Sequence, residues 1–168
     1  MQGETIPGSH HSRARAATSG AAGHGSSRRE RAITTAHATL HCLIGCSIGE
    51  FLGLAIGVTL GLGVWATMGL ATALAFVFGL NLAAWPVMKR HGFSWRRAMA
   101  TVWLAEVISI SVMEIAMNGA DYWVGGVQVT SMADPLFWIG FGVAVVAGFV
   151  AAYPANWWLL ARNLKHCH

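Results

Sequence analysis

Charge is scarce in this chain of 168 residues: Asp, Glu, Lys and Arg make up 11 % of it, against 55 % apolar residues, and mean hydropathy is +0.52. A soluble domain carries about 25 % charged residues, so an ordinary soluble fold is excluded. Cysteine is scarce too, at three. Cys42 and Cys46 lie one helical turn apart, a spacing at which a regular helix does not hold two sulfurs in disulfide geometry. A disulfide scaffold is therefore excluded, and reduced thiols are expected. Also missing are a phosphate-cradling Gly-Lys loop, a paired metal-hydrolase motif, a Cys-x-x-Cys pair and a nucleophile with a matching base. No enzymatic activity is expected.

Long apolar runs are abundant. A membrane helix needs about 20 predominantly apolar residues, and four stretches qualify, at 38–62, 64–88, 98–118 and 136–161. The fold class expected is an all-α integral membrane protein, a bundle of four transmembrane helices over residues 36–162. A disordered basic tail is expected over 1–35, rich in Gly, Ala, Ser, His and Arg, and a short tail over 163–168.

The basic residues fall in three clusters: Arg13 to Arg31, Lys89 to Arg97, and Arg162 with Lys165. The connections between them, Leu62-Gly63 and residues 119–135, contain neither Lys nor Arg. Basic segments stay cytoplasmic, which places both termini inside. The pI of about 9.4 then reports topology, with anionic lipid headgroups facing the basic clusters and no nucleic-acid partner. Trp65, Trp123 and Trp138 fall at one expected boundary and Trp85, Trp95, Trp157 and Trp158 at the other, as interfacial aromatics do.

The first span, expected to start after an N-cap at Thr35, combines two patterns. Gly45, Gly49, Gly53, Gly57 and Gly61 recur every fourth residue. Without a hydrophobic driving force in lipid, small residues of this kind let helices pack closely, and the short connection makes the second span the natural neighbour. His37, His41, Cys42, Cys46 and Glu50 share the same segment. The third span adds Glu106, Ser109, Ser111, Glu114 and Asn118, with Ser111, Glu114 and Asn118 on one face. Carboxylates inside a membrane helix are costly unless they face the bundle interior, a cavity or a partner.

Counting 1.5 Å per residue from 37 and 97 sets Glu106 level with Cys46 and just short of Glu50, with Asn81 and Asn156 returning to the same half of the bundle. Pro86 in the second span frees a backbone carbonyl. Imidazole and thiolate suit copper, zinc or iron, and the methionines of the third span suit cuprous copper. The expected metal ligands are His37, His41, Cys42, Cys46, Glu50 and Glu106, with Glu114, Asn118 and Ser111 as an ion or proton path.

The run from His37 through His41, Cys42, Gly45, Cys46 and Gly49 to Glu50, with Met113-Glu114 and the Tyr153-Pro154-Ala-Asn156-Trp157 segment, resembles the bacterial membrane-protein family known as domain of unknown function 4396, over about residues 37–161. The resemblance implies a small protein of the bacterial inner membrane and carries no established activity. The leading expectation is binding or transport of a transition metal, copper ahead of zinc or iron, aided by a homo-oligomer or a membrane-protein partner. The alternatives are a non-catalytic assembly subunit whose glycines dock a partner helix, and a proton-coupled small transporter using its intramembrane glutamates.

Overall fold

The computed structural model describes residues 12–162, with side chains from residue 28 onward. It contains α1 (Ser12–Thr59), α2 (Val64–His91), α3 (Trp95–Val124), a short 3-10 turn (Gly126–Gln128) and α4 (Pro135–Ala161). Four helical stretches, Arg28–Thr59, Val64–His91, Trp95–Val124 and Pro135–Ala161, are long and apolar enough to cross a membrane. The chain divides into two units, Met1–Thr34 and Thr35–His168, and the bundle described below belongs to the second.

Helix boundaries differ from expectation in three places. The first helix does not start after Thr35: it is already helical at Ser12, where a disordered tail was expected. Alanine and arginine are strong helix formers, and several of each occupy this stretch, so no stop signal precedes the apolar run. Thr35 is consequently fully buried mid-helix, and its carbonyl accepts a bond from Thr39 Oγ1 at 2.8 Å. Residues 1–11 and 163–168, with His10, His11 and the terminal His-Cys-His, lie outside the described residues. The connection between α1 and α2 covers residues 60–63 rather than Leu62-Gly63 alone. Gly61 turns the chain there with φ +63° and has no neighbour within 4 Å of where a Cβ would stand, so it is a turn residue rather than part of the packing ridge. Finally, α3 runs on to Val124, and Gly125 (φ 93°) closes it by donating to the Asp121 carbonyl. The expected loop over 119–135 shrinks, and Asp121 becomes a buried helical residue.

Close helix contact comes from small residues. A Cβ on Gly45 would stand 3.0 Å from the Gly79 Cα, and Cβ atoms on Gly49, Gly53 and Gly57 would run into Leu74 and Ala75, Ala71, and Thr67 respectively. The facing ridge of α2, Thr67, Ala71, Ala75, Gly79 and Ala83, is buried and shares the spacing of four. Thus Gly45, Gly49, Gly53 and Gly57 face α2 of the same chain. A second ridge, Gly140, Ala144, Gly148 and Ala152, is buried on α4. Met113 and Met117 of α3 occupy the space that a side chain on Gly148 would need. Helix α3 packs against both α2 and α4.

Two prolines sit inside continuous helices, Pro86 in α2 and Pro154 in α4. Ser94 is the N-cap of α3 by position, though its side chain makes no cap bond. Asp134 caps α4 with its carboxylate, accepting from Leu136 N at 2.8 Å, and Pro135 starts the helix. One end of the bundle is basic and rimmed by cation–π pairs: Lys89 over Trp85 (5.0 Å), Arg97 over Phe93 (4.4 Å) and Arg162 over Trp158 (4.7 Å).

Candidate functional site: a buried polar column

The polar residues of α1 divide by face. His37 and His41 are exposed, whereas Cys42, Cys46 and Glu50 are buried. At 100° per residue, positions 39, 42, 46 and 50 share a stripe beside the glycine ridge. His41 has a specific task instead: its Nε2 donates to the Leu82 carbonyl at 3.1 Å. That carbonyl is the one that Pro86, four residues on, cannot bond because it lacks an N–H. Asn81 is also turned outward, donating to the Val77 carbonyl and accepting from the Trp95 indole. Neither the imidazoles nor Asn81 joins the buried cysteines.

At the basic end the interior is held by a directional chain. The Ser109 hydroxyl donates to Asn156 Oδ1 at 2.8 Å, Asn156 Nδ2 donates to Thr39 Oγ1 at 2.9 Å, and Thr39 donates to the Thr35 carbonyl. Cys42 Sγ lies 3.8 Å from Ser109 Oγ. Because the Ser109 hydrogen is committed to Asn156, the Cys42 thiol is the donor of that contact. Cys46, one turn further along α1, is fully buried, and both thiols are free. Gly79 of α2 makes room for this pair, since a Cβ there would stand 3.2 Å from Cys46 Sγ.

Above the thiols lie carboxyl groups. Glu114 is 3 % exposed, and its Oε2 accepts from Asn118 Nδ2 at 3.2 Å while Asn118 also reaches Thr72 Oγ1 of α2 at 3.1 Å. Glu50 is 1 % exposed and neither of its carboxylate oxygens has a hydrogen-bond partner among the described residues. Asp121 fills the space that side chains on Gly126 and Gly140 would take, and its Oδ1 is likewise without a partner among the described residues. Ser111 is only half-buried.

Relative heights follow from the Cys42–Ser109 contact and a rise of about 1.5 Å per residue. Taking that contact as level, Glu106 lies about 4.5 Å toward the basic end, at the height of Thr39, while Glu114, Glu50 and Asp121 lie about 7.5, 12 and 18 Å toward the other end. The expectation that Glu106 is level with Cys46 is therefore displaced by about two turns. Its cause is the starting point of the count: α1 does not begin at His37, and α3 begins at Trp95. Among the described residues, no three His, Cys, Asp or Glu side chains are grouped to hold a metal ion. The six expected ligands are spread over an outer face (His37, His41), a thiol layer (Cys42, Cys46) and two carboxyl levels (Glu50, Glu106).

Sequence reasoning passed over Thr39 and Thr72, noted Ser109 without giving it a role, and left Asp121 in a loop. Two signals were present: Thr39 falls three residues before Cys42 and seven before Cys46, and Asp121 falls seven after Glu114. Each spacing returns to the same helical face.

Fold and site together define a class: a four-helix bundle of membrane-spanning dimensions with an internal column of carboxyl, hydroxyl, thiol and amide groups. The chain belongs to the family described as domain of unknown function (DUF4396), whose model matches residues 33–165. Neither the curated proteins nor the solved structures give a match.

Proposed function

We propose that this protein moves protons through the interior of its helix bundle, with Glu50 as the central carrier and Glu114 and Asp121 as the groups on either side of it. The observation that supports the reading is Glu50 itself: nearly fully buried, with both oxygens lacking partners among the described residues. Burying an unpaired charge costs several kcal/mol or more, and in a membrane span such residues are rare and mark ion pathways and proton relays. A structural role would be served by hydrogen bonds that Glu50 does not make among the described residues. A proton suits the column better than a metal ion, because the carboxyl groups stand at steps of roughly 4.5 and 6 Å along the bundle rather than converging on one point.

In this reading the basic end faces the cytoplasm and the bundle lies in a bacterial inner membrane. The glycine ridge fixes α1 against α2 and so holds Glu50 at its depth. Liposomes containing the purified protein and an internal pH-sensitive dye test the proposal: an acid step outside acidifies the lumen faster than in empty liposomes, and Glu50→Gln returns the rate to that of empty liposomes. Equal rates for wild type and Glu50→Gln contradict it.

A further inference from the structure

The polar column is not continuous. From Glu114 to Glu106 is about 12 Å along α3, and the groups that fill this gap are Cys46, Cys42, Ser109 and Asn156, two thiols, a hydroxyl and an amide. The hydrogen bonds in the lower part of this stretch run one way: thiol to Ser109, Ser109 to Asn156 Oδ1, Asn156 Nδ2 to Thr39, Thr39 to the Thr35 carbonyl. The chain ties α1, α3 and α4 together across the bundle, and Ser109, Thr39 and Asn156 are all 0 % exposed.

A hydroxyl can accept a proton on one side and release one on the other. An amide cannot do so at comparable cost. To relay, Asn156 would take a proton on Oδ1 from Ser109 and release one from Nδ2 to Thr39, leaving an imidic acid that must revert before a second proton could follow. The carboxamide therefore accepts and donates hydrogen bonds without passing charge. Asp at the same position would preserve the shape and the acceptor while adding a group that can take up and release a proton.

We infer that Asn156 is the barrier residue of this bundle, an amide lock that insulates the carboxyl column of Glu114, Glu50 and Asp121 from the basic end and limits the rate at which protons cross. The inference rests on the proton-transfer reading above. It gives the buried amide a chemical function, insulation, beyond cross-linking three helices. Pro154, two residues before it, breaks the hydrogen-bond ladder of α4 next to the lock.

The test is proton uptake by liposomes reconstituted with wild type, Asn156→Asp, Asn156→Leu and the Asn156→Asp/Glu50→Gln double variant. Asn156→Asp is expected to raise the rate about tenfold or more, equivalent to about 1.4 kcal/mol of barrier. Asn156→Leu removes the hydrogen bonds to Ser109 and Thr39 and cannot relay, so it stays near the wild-type rate, and the double variant falls to the level of empty liposomes. If Asn156→Asp does not fold, judged by elution as a single species in detergent, Asn156→His supplies another relaying group. Wild-type and Asn156→Asp rates that are equal and both dependent on Glu50 overturn the barrier while leaving the proton reading intact. A leak that survives Glu50→Gln, or an equal rise in Asn156→Leu, also overturns it, because loosened packing would then account for the flux. Rates at the empty-liposome level in every variant remove the proton reading, and the barrier with it.

Discussion

Replacing Gly53 by alanine opposes two effects whose sizes can be set side by side. In a helix interior alanine is favoured over glycine by about 1 kcal/mol, and Gly69 and Gly142 show that gain alone, since nothing stands within 4 Å of a Cβ built on either. At Gly53 the same methyl would fall against the Ala71 backbone, and the Ala71 Cβ would stand 3.0 Å away. Backbone cannot rotate aside as a side chain can, so α1 and α2 must part, loosening the neighbouring contacts of Gly49 and Gly57. Overpacking costs about 1–3 kcal/mol, enough to reverse the propensity gain. Gly69→Ala and Gly142→Ala should therefore be stabilised by about 1 kcal/mol and Gly53→Ala destabilised by about 1–2 kcal/mol. Reversible unfolding in mixed detergent micelles resolves a difference of this size. A Gly53→Ala protein as stable as Gly69→Ala would refute the reasoning, because the α1–α2 seam would then have slack that the geometry denies.

Other predictions follow from individual contacts. His41→Ala should destabilise the wild type by about 1 kcal/mol but cost little in a Pro86→Ala background, where residue 86 regains an N–H for the Leu82 carbonyl; a double-mutant cycle with no coupling would show that the His41 bond to Leu82 does not substitute for the missing one. Ser109→Ala should cost about 0.6–1.7 kcal/mol, the range for hydrogen bonds between membrane helices, and should couple to Thr39→Val through Asn156; additive losses would mean that the chain does not act as a unit. Elemental analysis bears on the ligand set expected from sequence: copper, zinc and iron should be substoichiometric and equal in wild type and Cys42→Ser/Cys46→Ser, and a stoichiometric metal lost only in the double variant would reinstate a thiolate site.

The four spans were legible because a run of about 20 apolar residues has few alternatives, and the glycine spacing of four pointed to the α1–α2 seam. The matching ridge of α2 escaped notice because Ala71, Ala75 and Ala83 look like ordinary apolar filling until the glycines opposite them are seen. Depth was harder to read. Counting from presumed helix ends carries their error straight into the register, and α1 continues upstream of His37 while α3 continues past Asn118. Hence Glu106 moved away from Cys46, and Asp121 moved from a loop into the column. Imidazole and thiolate in one short run suggested a common ligand set, but His41 and Cys42, adjacent in sequence, point about 100° apart. The decisive partner of His41 is a backbone carbonyl, which a side-chain inventory does not contain.

The most direct measurement of the central claim is the proton uptake rate of reconstituted protein with Glu50 replaced first by glutamine and then by aspartate. Glutamine keeps the shape of the side chain and removes its capacity to carry a proton, whereas aspartate keeps that capacity on a shorter stem. The account predicts no uptake above empty liposomes for Glu50→Gln and a reduced but measurable rate for Glu50→Asp. Uptake by Glu50→Gln equal to wild type, in protein that elutes as the wild type does, would contradict it.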